Sequence, residues 1–78
     1  MSGNSNLLDR ITFNPQQCGG KPCIRGMRVR VLDVLELLGH GMTANEVIEQ
    51  LPYLEIEDVR ACLTFAAKCV ARPMQGVP

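Results

Sequence analysis

Midway along the chain the residues from Gly39 to Val47 read GHGMTANEV, and they require one helix to end and another to begin within a few positions. Gly41 offers the left-handed backbone that stops a helix without a side-chain penalty. Thr43 then stands as an N-cap, Glu46 follows three residues on as its capping-box partner, and Met42 is placed to staple against Val47. A chain with this break cannot run as one long amphipathic helix. It must turn back as a pair of helices joined by a tight connection.

The neighbouring periodicities complete that frame. Val31, Val34, Leu35 and Leu38 recur at i, i+3, i+4 and i+7, which predicts a first helix over 31–40. Beyond Thr43, the residues Ala44, Val47, Ile48 and Leu51 form the apolar side of a second helix, which Pro52 ends after little more than two turns. After the turn PYLE a third helix is expected over 56–70, with Ile56, Val59, Leu63, Ala66 and Val70 as its buried stripe and Cys62, Phe65 and Cys69 beside it. Residues 1–8 read as a leader and 72–78 as a tail, since neither carries a periodic apolar face, which leaves one domain over 9–71. The expected fold is mainly α, a three-helix bundle containing a helix-turn-helix and preceded by a short N-terminal β element.

That β element falls in GGKPCIRGMRVRV, residues 19–31. A phosphate-binding loop needs a glycine five residues before its Gly-Lys and a hydroxyl residue after it, and Pro15 and Pro22 occupy those places. A hairpin suits the stretch better. Gly26-Met27 is a Gly-X pair of the type II′ kind, and that register sets Ile24 opposite Val29, Arg25 opposite Arg28, and Cys23 opposite Arg30. Ile24 and Val29 would face the core, while Arg25, Arg28 and Arg30 would share the outer face. With Arg10 and Lys21 these are the candidate contacts for an anionic partner; the plainer reading is arginines splayed into water.

Charge is distributed in keeping with either reading. The chain is neutral overall, yet residues 1–32 hold five bases against Asp9 alone, and the remainder holds seven acids against Arg60, Lys68 and Arg72. Its front half is basic and its back half acidic.

The run ITFNPQQCGGKPCIRGMRVRVLDVLELLGHGMTANEVIEQLPYLEIEDVRACLTFAA resembles the small bacterial family called domain of unknown function 433. The likeness rests on the GGKPxIRG core, a short helix ending in Gly, a Thr-capped helix, a Pro, and a helix with an acidic start, over about residues 11 to 67. The resemblance implies a homeodomain-like three-helix fold. It further implies an antitoxin of a type II toxin–antitoxin pair, which neutralises a PIN-like toxin by contact and represses its own operon. Three residues depart from the pattern: Met27 stands where Thr is usual, Cys23 where Val is usual, and Glu55 where a Ser/Thr cap is usual, so the third helix is expected to fray at its start.

Other chemistry finds little footing. Cys62 and Cys69 are seven helical residues apart, about 10.5 Å of rise, too far to share a zinc ion at bond lengths of about 2.3 Å, so they read as core filler. Cys18 and Cys23 form at most a fragment of a metal site. His40, the single histidine, suits the negative end of the first helix, and Glu57 and Asp58 suit the positive end of the third. No catalytic constellation, cofactor, metal or small-molecule substrate is indicated, and the chain is not expected to be an enzyme. A helix-turn-helix would offer the start of its second helix to base edges; here that start is acidic, and Arg60, Thr64 and Lys68 are second-line contacts only. MSGNSN lacks a signal pattern and no apolar run spans a membrane, so the expected location is cytoplasmic with thiols reduced. A chain this small, with an exposed hairpin edge and few aromatics, is expected to form a homodimer that shares its N-terminal β element across the two-fold axis. Its partners would then be a PIN-like toxin and operator DNA; the rival reading is a protein-interaction module that never touches nucleic acid.

Overall fold

The structure is a computed structural model that describes residues 7 to 71, the Cys18 side chain excepted. Most of the expected leader and the whole expected tail lie outside the described residues. Leu7–Arg10 form a 3-10 turn, in which Leu7 packs against the core, so the ordered unit begins before residue 9. Strand β1 (Ile11–Thr12) pairs antiparallel with β2 (Cys23–Ile24), Ile11 opposite Ile24 and Thr12 opposite Cys23. Helices α1 (Val31–Gly39), α2 (Ala44–Gln50) and α3 (Ile56–Ala71) follow. The fold is mainly helical, three helices with a two-stranded antiparallel element near the N-terminus, as the sequence implies.

The local signals at the α1–α2 break operate as read. Gly41 has φ +104°, its N–H donates to the Leu38 carbonyl at 3.0 Å, and the Met42 N–H reaches back to Leu37 at 3.2 Å, the Schellman arrangement that satisfies the last carbonyls of α1. Thr43 Oγ1 accepts the Glu46 N–H at 3.1 Å while Glu46 Oε1 accepts the Thr43 N–H at 2.8 Å, a complete capping box. At the start of α1, Asp33 accepts both the Arg30 N–H at 3.1 Å and the Arg30 guanidinium at 2.6 Å.

One core joins all the elements. Ile11, Ile24, Val31, Val34, Val47, Leu54, Val59, Ala61 and Cys62 are buried together, and the short α2 survives through Val47, which is wholly buried in it. Cys23 is also buried, and it is disulfide-bonded, against the expectation of reduced thiols; Cys62 and Cys69 are free.

Helix α3 differs from its expected stripe. It buries Asp58, Val59, Ala61 and Cys62, while Ile56, Leu63 and Val70 are 39%, 48% and 76% exposed. Its two long sides are both apolar, so periodicity alone does not choose between them. Asp58 decides, because the side carrying it must face the cations that satisfy it.

Candidate functional site

The chain between β2 and α1 turns at Arg25-Gly26, one position earlier than the expected Gly26-Met27. Both residues have positive φ, +48° and +72°, and the Met27 N–H donates to the Ile24 carbonyl at 2.8 Å, the pattern of a type I′ turn. Beyond the turn the expected register holds. Cys23 bridges Arg30, and the Ile24 N–H donates to Val29 at 3.0 Å. On the other side of β2, the Arg25 N–H donates to the Arg10 carbonyl at 2.8 Å, and Thr12 Oγ1 accepts the Gly26 N–H at 2.9 Å.

A left-handed backbone is costly for arginine, and the Arg25 side chain shows what holds it there. Its Nε and Nη2 clasp both oxygens of Asp58, with Nη2 to Oδ2 at 2.7 Å, and Nη2 also donates to the Tyr53 carbonyl at 3.0 Å. Arg10 Nη1 donates to Asp58 Oδ1 at 2.9 Å and to Glu55 Oε1 at 2.7 Å. The Glu55 N–H adds a bond to Asp58 Oδ2 at 2.8 Å. Asp58 is 0% exposed, so this carboxylate sits beneath two guanidinium groups at the first turn of α3.

The electrostatics follow from that enclosure. Burial pushes the Asp58 carboxyl up, but the Arg25 side chain, the Glu55 amide and Arg10 together outweigh it and hold the group below its ordinary value. Hydrogen bonds to Glu55 and Asp58 raise Arg10, and the bond to Asp58 raises Arg25. Burial, and then the Asp58 charge, push the Cys62 thiol up to about 12, so this thiol is not a nucleophile near neutral pH. A carboxylate so fully occupied has no lone pair left for a metal, a proton transfer or a substrate. The cluster is a clasp between the N-terminal β element and α3.

The three arginines expected on one outer face therefore go separate ways. Arg25 is held by Asp58, Arg30 by Asp33, and Arg28 alone stands exposed without an ion pair among the described residues. Arg10 is spent in the same clasp, and Lys21 is exposed. Asp58 is the first-turn acid that was expected, though it is wholly buried, and Glu55 does not leave α3 uncapped, since Asp58 accepts its N–H from three residues on. The spacing Glu55-x-x-Asp58 carried that signal, with the acid at the capping-box position. Arg60 and Lys68 are exposed on α3 and Thr64 is half-buried.

Arg28 overlooks an open groove of about 500 Å³ between the turn, α1 and the end of α2. Val29, Leu37 and Leu51 give it an apolar floor, and Arg28, Asp33, Glu36, His40, Gln50 and Tyr53 give it a polar rim. No group of three or more potential metal ligands occurs among the described residues, and no helix there is long and apolar enough to cross a membrane.

A family model described as "Protein of unknown function (DUF433)" matches residues 11–66, from β1 through most of α3. The chain belongs to the DUF433 family. It is similar to "Uncharacterized protein y4eO" of Sinorhizobium fredii (strain NBRC 101917 / NGR234), 33% identical over 83 residues, which covers 97% of this chain and 36% of that protein. The chain thus spans about a third of the length of the curated relative it matches. No solved structure matches. Within the DUF433 match lie Arg25, Asp58 and every residue lining the groove, whereas Arg10 and Val70 fall outside it.

Proposed function

We propose that this DUF433 protein is an antitoxin-like partner of a PIN-like toxin and that it acts by protein contact through the groove beneath Arg28 and Tyr53. The observation that carries this reading is the fate of the basic residues: Arg10, Arg25 and Arg30 are spent on Asp58, Glu55 and Asp33, which leaves only Lys21 and Arg28 of the five front-half bases for phosphates. Helix α3 also opens with Glu55 and Glu57, both exposed, where a DNA-reading helix needs neutral or basic side chains. The groove has the composition of a protein interface, an apolar floor with Arg and Tyr at its edge.

The test is co-purification with a PIN-like product of an adjacent gene. Tyr53→Ala and Arg28→Glu should each weaken that complex by about tenfold or more while the circular dichroism stays native, since both side chains stand on the rim. Intact binding by both variants sinks this reading. Operator binding is the secondary reading, favoured by the exposure of Lys21 and Arg28. It requires that Lys21→Gln and Arg28→Gln each flatten the salt dependence of DNA binding by about 0.9 log unit.

A further inference from the structure

Helix α3 faces outward with a second apolar side that the core does not use. Ile56, Leu63 and Val70 lie exposed along it, and Arg60 and Ala67 fill the positions between them. Successive members are three or four residues apart, the alternating spacing of a two-helix seam. The line is also symmetric: Ile56 and Val70 stand seven residues to either side of Leu63.

We propose that this face is the interface with a second copy of the chain, the two α3 helices packing antiparallel across a two-fold axis at Leu63. Isologous contacts pair residue i with j and j with i. Here Leu63 meets the partner's Leu63, and Ile56 meets the partner's Val70. Arg60 lies over the partner's Ala67, whose small side chain admits the arginine stem. Charge fixes the orientation. Glu57 and Lys68 are eleven residues apart, which at 3.6 residues per turn puts them on one flank of α3. Antiparallel packing then sets Glu57 beside the partner's Lys68, twice over, and opposes the helix dipoles favourably. Parallel packing would instead bring Arg60 against the partner's Arg60 in the seam. The apolar line drifts by about 20° per heptad, which matches the shallow crossing of such pairs. In this arrangement Arg60 serves self-association, and α3 is withdrawn from any DNA groove.

This interface lies on a different helix from the groove assigned to the toxin, so the two ideas fail separately. Sedimentation of the full chain at on the order of 10 µM should show a dimer. Leu63→Glu should raise the dissociation constant by at least about 30-fold with native circular dichroism, because Leu63 is 48% exposed and does not hold the core. Orientation is read by disulfide trapping in a Cys69→Ser background. Ile56→Cys mixed with Val70→Cys should cross-link, and Ile56→Cys alone should not. A monomeric wild-type chain, a dimer indifferent to Leu63→Glu, or cross-linking of Ile56→Cys alone each overturns the proposal.

Discussion

Asp58 lies wholly buried beneath Arg10 and Arg25 at the first turn of α3. In the sequence it is one of two acids in a first turn, the ordinary complement to a helix dipole. In the fold it is wholly buried and bonded to residues 33 and 48 positions away, a relation that no local pattern encodes. Its consequence for pH has a definite sign. The folded carboxyl sits below its ordinary value, so the stability it adds is present above the unfolded value of about 3.9 and is lost as pH falls through the folded one. Acid unfolding should therefore steepen below about pH 4, and Asp58→Asn should flatten that limb. At neutral pH the same variant should cost about 2–4 kcal/mol in urea titration, because it leaves two guanidinium groups facing an amide where the charge was. An unaltered acid limb would show that the clasp contributes nothing to folding.

At the scale of elements, what was legible is what three or four neighbouring residues decide. Gly41, Thr43 and Glu46 fix the end of α1 and the start of α2 through bonds no longer than one helical turn, and the structure shows each of them. Thr43→Ala should accordingly cost about 1 kcal/mol and lower the melting temperature by about 4–8 °C, a shift that calorimetry resolves. A melting curve unmoved by Thr43→Ala would place the cap elsewhere. The buried face of α3 was not legible, because Ile56, Leu63 and Val70 are as periodic as Val59 and Cys62 and only tertiary contacts rank them. The turn at Arg25 was misplaced for a related reason. A non-glycine residue at φ +48° is disfavoured locally and is accepted here for the sake of its hold on a distant carboxylate.

Across the whole molecule, the basic front and the acidic back of the chain are complementary to each other before they are complementary to anything else. Arg10 and Arg25 from the front meet Glu55 and Asp58 from the back, so a charge asymmetry that reads as attraction for an outside partner is largely resolved within the fold. Among the groups left outward are Arg28 over the groove, Lys21, and the apolar line on α3. The central claim is thus a division of labour between two arginines three residues apart, Arg25 building the fold and Arg28 left free of it for the proposed partner. Urea unfolding of Arg25→Gln and Arg28→Gln side by side at neutral pH tests it most directly. Arg25→Gln should lose about 1–3 kcal/mol, less than the full cost of breaking a buried pair because its side chain is 37% exposed and Arg10 still covers Asp58, whereas Arg28→Gln should leave the midpoint unchanged. Equal midpoints for the two variants, or a larger loss for Arg28→Gln, would contradict the account.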